Sequence, residues 1–363
     1  ARRPRGQRVL RAQFPRTLTV LSVLPDLGEL LDGLRVVAIP LRVRFRGIDL
    51  REVALLHGPS GWGEFGPFLE YPPQESARWL AAGVEAAYAG WPAPVRTRVP
   101  VNATVPAVPA SAVASVLARF DGCTSAKVKV AEAGRSPDED LDRVAAVRDV
   151  LGPAGRIRVD ANGGWSVAQA RAILARLAAY RLDYAEQPCR TVPELRELRL
   201  ALARDRVDVP IAADESIRKA EDPLRVAREE AADLVVVKVA PLGGVARALS
   251  IVTDCGLPAV VSSALDTSVG LAAGVALAAA LPELPHACGL GTGELLAGDV
   301  AAEPLLPRHG ELAVRRPEPD PGLLERWAAP PPREAWWRER LTAAYAVLSR
   351  RPGAGRAGGG PVG

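Results

Sequence analysis

Methionine is absent from this 363-residue chain, where several would be expected. Aromatic residues make up only 5%, and none interleaves a basic stripe in the body of the chain. That argues against a nucleic-acid partner despite a net charge of +4. The positive excess lies at the ends: ARRPRGQRVLRAQFPR at 1–16 carries six arginines and no acid, and reads as a solvated extension. The four cysteines at 123, 189, 255 and 288 form no CxxC pair, which argues against zinc and for free thiols in a reducing compartment. The longest uncharged apolar run, at 269–281, has 13 residues, too few to span a bilayer. No apolar core follows the first arginines, so a signal peptide is not expected and the cytoplasm is the default location. Neither GxGxxG nor GxxxxGK[ST] follows a strand, which counts against an open nucleotide-binding sheet.

What the chain does have is a repeat. Five strand-like segments, AKVKV (126–130), IRVDAN (157–162), LDYAEQP (182–188), PIAADES (210–216) and LVVVKVAP (234–241), each present a charged side chain near their end. Those side chains are Lys127 and Lys129, Asp160, Glu186, Asp214 and Lys238, 24 to 31 residues apart. Each gap fits one strand, one helix and two short loops. VNATV at 101–105, PAVVSSA at 258–264 and HACGLGTG at 286–293 bring the strand candidates to eight. Ser136 with Glu139, Ser166 with Gln169 and Thr191 with Glu194 form capping-box pairs that start the intervening helices. Eight such units predict an α/β fold, a TIM-like (β/α) barrel spanning 98–310.

The barrel is preceded by a different pattern. Residues 34–57 read as two strands around a turn at Arg46–Gly47, GWGEFGPFLEYPP at 61–73 as a loop, and 76–90 as a helix. This predicts a small α+β capping domain over 31–97, after a basic extension at 1–30. Residues after about 310 are expected to complete it, with a terminal helix in the segment 311–350 and a flexible tail at 351–363.

The strand ends define a chemistry. Asp160, Glu186 and Asp214 would converge on the rim where barrel active sites form. Three carboxylates repel one another unless a cation lies among them, and an all-oxygen set selects Mg²⁺ first and Mn²⁺ as a substitute. Lys127 and Lys129 face the same side of one strand, so each ammonium is expected to lower the pKa of the other and make a base near neutral pH. Lys238 interrupts an apolar run on the far side of the barrel, where a charge should be paired or functional. A metal flanked by lysines suits removal of the proton α to a carboxylate.

AKVKV, RVDANGGW, YAEQP, AADES and VVVKVAPLGG, in that order, resemble the enolase superfamily, and most closely its muconate-lactonizing subgroup. The resemblance covers residues 34–310 and implies an enolase-type modified barrel under an N-terminal cap. It implies Asp160, Glu186 and Asp214 as the Mg²⁺ ligands, Lys129 as the catalytic acid/base with Lys127 keeping its pKa low, and Lys238 as the opposite lysine. The histidines at 57, 286 and 309 match no His-base position, so the mandelate racemase subgroup does not fit.

Within the subgroup, VVSSALDTSVG (260–270), GWGEFGPF (61–68) and GLGTGELLAGD (289–299) are similar to the o-succinylbenzoate synthase family of the actinobacterial type. This implies a lyase of menaquinone biosynthesis acting on a small carboxylate, with Ser262, Ser263 and backbone groups near Gly291 as substrate contacts. The stretch HACGLGTG lacks the Asp-x-Asp of dipeptide epimerases. N-acylamino-acid racemases and muconate cycloisomerases remain alternatives. A non-catalytic barrel would have lost a ligand or a lysine, and none is lost.

Overall fold

The computed structural model describes residues 24–219 and 222–350. The arginine-rich stretch up to residue 23 and the expected tail at 351–363 lie outside the described residues. Within the expected extension, Leu27–Asp32 forms a helix whose Leu30 is buried in the same apolar cluster as Trp337.

Strands β1 (Arg35–Phe45) and β2 (Ile48–Gly58) form an antiparallel hairpin. Its two turn residues both have left-handed backbones, Arg46 at φ 54° and Gly47 at φ 77°, as a tight I′ turn requires. The stretch at 61–73, expected as a loop, instead begins with a third strand, β3 (Gly61–Phe65), paired to β2. Its glycines permit this, because a Cβ on Gly63 would lie 2.0 Å from the Gly83 carbonyl oxygen. The helix Pro73–Val84 covers the sheet and ends in a π-turn at Glu85–Ala89. The C-terminal helix Pro331–Leu348 returns to this unit, where Trp337 is buried and its Nε1 donates to Glu52 at 3.0 Å.

Past the short β4 (Arg98–Pro100), seven parallel strands follow in spatial order as in sequence. They are β5 (Ala103–Val105), β6 (Ser125–Lys129), β7 (Arg156–Asp160), β8 (Leu182–Glu186), β9 (Ile211–Ala213), β10 (Leu234–Val237) and β11 (Ala259–Val261). β12 (Glu311–Ala313) then pairs with β4. All three capping boxes form with both reciprocal hydrogen bonds, so the helices start where the sequence sets them.

The eighth expected strand, at 286–293, is reduced to two parallel bridges, Val101↔Cys288 and Ser262↔Gly289. The Cys288 N–H donates to Pro100 at 2.7 Å and the Gly289 N–H to Val261 at 2.8 Å, so this one segment joins both edges and closes the sheet. Close approach explains its glycines: a Cβ on Gly289 would sit 2.5 Å from Ser262 Oγ. Arg158, fully buried, braces the same seam. Its guanidinium donates to the Ala287 carbonyl at 2.7 Å, Asp183 at 3.0 Å and the Tyr184 hydroxyl at 3.2 Å. Among the described residues, no helix is long and apolar enough to cross a membrane. The four cysteines are free thiols.

Candidate active site

Asp160 ends β7, Glu186 ends β8, and Asp214 and Lys238 directly follow β9 and β10. Asp160 and Glu186 are register partners, and so are Lys129 and Asp160. Parallel pairing therefore stacks these side chains side by side at one rim. All three carboxylates are buried. Lys127 Nζ bridges two of them, lying 3.4 Å from Asp160 Oδ2 and 3.2 Å from Glu186 Oε1. Lys129 Nζ is 2.5 Å from Asp160 Oδ2 and 2.6 Å from Asn162 Oδ1. Lys238 Nζ donates to Asp214 Oδ2, and Arg218 Nε holds Oδ1 of the same carboxylate at 3.1 Å.

Burial works against ionised Asp160, but Lys129 and then Lys127 outweigh it and hold its carboxyl below the usual range. Burial likewise opposes ionised Asp214, and Lys238 with Arg218 brings it down to about 2. Glu186 behaves oppositely. Burial and then the charge of Asp160 push it up to about 7, with Lys127 only partly offsetting them. Lys127 is opposed by burial, yet Glu186 and Asp160 raise it above the ordinary lysine value. For Lys127 the outcome is opposite to the lowering expected, because two carboxylates lie within 3.4 Å of its ammonium.

Glu186 pairs with Lys127 alone among the described residues, whereas Asp160 pairs with both Lys127 and Lys129. Lys127, bridging two carboxylates, stands in for a cation between them. Among the described residues no three His, Cys, Asp or Glu side chains converge at ligating spacing, and each of Asp160, Glu186 and Asp214 is paired with an ammonium. The donor set nonetheless fits a hard divalent ion: three buried carboxylates on consecutive strand ends, without a sulfur or imidazole ligand.

A small cavity opens at this rim. Lys127, Lys129, Asp160 and Lys238 line its floor, Ser262, Ser263 and Thr292 one wall, and Phe45, Arg46 and Phe68 of the cap its mouth. Ser263 Oγ pairs with Thr292 Oγ1 at 2.6 Å and donates to the Gly289 carbonyl at 3.1 Å. Gly291 itself is buried behind this wall, where a Cβ would meet the Asn102 carbonyl oxygen at 2.8 Å. Its neighbour Thr292 is the residue that reaches the cavity. No histidine lines it.

Residues 110–325 match the model of the enolase C-terminal domain-like family, and residues 36–87 that of the enolase N-terminal domain-like family. An o-succinylbenzoate synthase of Mycobacterium bovis (strain BCG / Pasteur 1173P2) is 58% identical over 91% of this chain and 98% of its own. One of Mycolicibacterium smegmatis is 59% identical over 90% of this chain and 99% of its own. The chain belongs to the o-succinylbenzoate synthase family of the enolase superfamily. Enzymes of that name are hydro-lyases, and the superfamily's enzymes typically use a divalent metal. Among solved structures, a 2-chloromuconate cycloisomerase from Rhodococcus opacus 1CP superposes with a TM-score of 0.69 at 22% identity, covering 82% of this chain and 98% of that one. The L-Ala-D/L-Glu epimerase from Bacillus subtilis gives 0.66 at 21%, covering 79% and 96%. At these identities the likeness is one of fold.

For this o-succinylbenzoate synthase family member, sequence reasoning missed several groups at the site. Asn162, two residues beyond Asp160, links Lys129 to Glu215, its Nδ2 lying 3.1 Å from Glu215 Oε1. Arg218 grips Asp214 from the short helix that follows β9. Both stand within four residues of a predicted carboxylate, a proximity that could have flagged them. Phe45 and Arg46 carried no local signal, since only the folded hairpin brings them to the cavity.

Proposed function

We propose that this protein dehydrates 2-succinyl-6-hydroxy-2,4-cyclohexadiene-1-carboxylate to 2-succinylbenzoate in menaquinone biosynthesis, in the cytoplasm. The observation that carries the reading is the placement of Lys129, at the end of β6, and Lys238, just after β10, around one cavity that Asp160 also lines, each lysine paired to a buried carboxylate. Asp160, Glu186 and Asp214 would hold a divalent ion, Mg²⁺ with Mn²⁺ as substitute. When bound, it supplies positive charge to offset the negative charge developing on the substrate carboxylate.

Neutral Lys129 takes the ring proton α to the carboxylate. The same amine, now protonated, gives that proton to the departing hydroxyl, so the carbon–oxygen bond breaks, water leaves and the ring becomes aromatic. Lys129 returns to its neutral form, so the step needs no further acid. Lys238 supplies positive charge on the other face of the ring. Lys127 keeps positive charge beside the acids, and Ser262, Ser263 and Thr292 contact the substrate from the wall.

The two-lysine arrangement is also what racemisation needs, with one base for each face, so N-acylamino-acid racemase is the second reading. Purified protein with Mg²⁺ should convert the cyclohexadiene substrate to 2-succinylbenzoate, followed by the rise in aromatic absorbance. Lys129→Ala should lower turnover by at least about 1000-fold. Racemisation of N-succinylamino acids without any dehydration would overturn the synthase reading.

A further inference from the structure

The ring of Tyr71 belongs to the cap, but its hydroxyl serves the barrel. It accepts from Arg46 Nη2 at 2.9 Å and from Arg218 Nη1 at 3.2 Å. Tyr71 is 6% exposed and Arg218 5%. Edge-on contacts with Phe68 and Trp79 fix the ring, and Lys219 Nζ lies 4.8 Å from its centroid. The Arg218 guanidinium spends its other two nitrogens on the acid cluster. Nε holds Asp214 Oδ1 at 3.1 Å, and Nη2 holds Glu215 Oε1 at 2.6 Å. Glu215 Oε1 also accepts from Asn162, which accepts from Lys129. A single rigid fork thus touches the cap, a predicted ion ligand and, through two residues, the acid/base lysine. With Oδ1 held by Arg218, the other oxygen of Asp214 is directed to the interior, where Lys238 now takes it.

We propose that Tyr71 is a positioning residue for the ion site, acting through Arg218. The cap's hydroxyl fixes the guanidinium, and the guanidinium fixes which oxygen Asp214 offers to a divalent ion. The proposal rests on the reading of Asp160, Glu186 and Asp214 as ion ligands. Planarity makes Arg218 suited to this task, because its three nitrogens lie in one plane and moving one contact rotates the others. Groups that orient a ligand through a hydrogen bond typically change ion affinity by about 10–100-fold when removed. The coupling is reciprocal: an ion that selects this orientation of Asp214 also favours the cap position that supplies Tyr71.

The test is Mn²⁺ binding by the full chain without substrate, followed by electron paramagnetic resonance. Tyr71→Phe keeps the ring and removes only the hydroxyl, so the cap core stays packed. It should weaken Mn²⁺ binding by about 10-fold or more. Arg218→Lys should weaken it at least as much, and the double variant should bind no more weakly than Arg218→Lys alone, since both act on one path. In turnover assays, high Mn²⁺ should restore kcat in Tyr71→Phe with KM for the organic substrate little changed. Unchanged Mn²⁺ affinity in Tyr71→Phe, or additive losses in the double variant, would overturn the proposal. If Tyr71→Phe weakens Mn²⁺ as expected but the unsubstituted protein dehydrates nothing, the proposal stands and the synthase reading falls. An unsubstituted protein that binds no Mn²⁺ overturns both.

Discussion

The Glu64 carboxylate accepts the backbone N–H of Thr267 at 3.1 Å and its hydroxyl at 2.6 Å, across 203 positions of sequence. Glu64 lies on β3 of the cap, and Thr267 is the N-cap of the helix Ser268–Ala280 of the barrel. Arg51 reinforces the contact by donating to the Leu265 carbonyl at 2.9 Å. Two of the three stretches whose likeness pointed to this family, GWGEFGPF and VVSSALDTSVG, therefore meet face to face. Together they form the latch that seats the cap on the barrel.

That latch should respond to pH. Burial and then neighbouring Asp266 push the Glu64 carboxyl up to about 8 from an ordinary 4.5, with Arg51 only partly opposing them. Its folded pKa thus exceeds its unfolded one, so between these values the unfolded chain binds fewer protons. Stability should fall as pH rises from about 4.5 to about 8. Glu64→Gln keeps an acceptor for Thr267 and cannot ionise, so its melting temperature should fall less over that range. Parallel melting curves for the two proteins across this range would refute the assignment.

Lys238 holds the Asp214 oxygen that an ion would need. Lys238→Ala should therefore bind Mn²⁺ at least as tightly as the unsubstituted protein, while its turnover falls by about 100-fold or more. Titration of Mn²⁺ alongside steady-state kinetics separates the two effects. Loss of ion affinity together with activity would show that Lys238 supports the cage instead of competing for it.

Arg158 braces the seam where the eighth strand is reduced to two bridges. Arg158→Met would leave the Ala287 carbonyl without its donor and remove one of the cations that hold Asp183. Arg156 still pairs with Asp183 at 2.8 Å, so the main cost is the Ala287 carbonyl left unsatisfied, about 1–3 kcal/mol, and urea denaturation should show a loss of that order. A loss below about 1 kcal/mol would mean that water satisfies the seam, which is the usual fate of a surface pair.

Much of the site was legible because its groups repeat with the βα unit. Asp160, Glu186, Asp214 and Lys238 each end or follow a strand, and the capping boxes place the helices between them. The eighth strand was less legible. Apolar and glycine residues at 286–293 allow a strand, but closure needs only two bridges there, and close contact with Ser262 and Asn102 replaces a longer ladder. The Gly-rich start of the stretch at 61–73 looked like a loop for the same reason: small residues permit a turn and close packing equally, and only the facing helix decides between them.

By itself the sequence determined the periodic alternation of strand and helix, the capped helix starts, the acids and lysines at the strand ends, and the hairpin turn at Arg46 and Gly47. These depend on interactions within a few residues, and local propensity suffices for them. The tertiary structure decided which lysine pairs with which carboxylate, that Lys127 is raised and not lowered, and that Phe45, Arg46 and Tyr71 reach the site from the cap. Those outcomes depend on distances of a few ångströms between residues from about 30 to over 200 positions apart. Only barrel closure and the seating of the cap on Thr267 fix them.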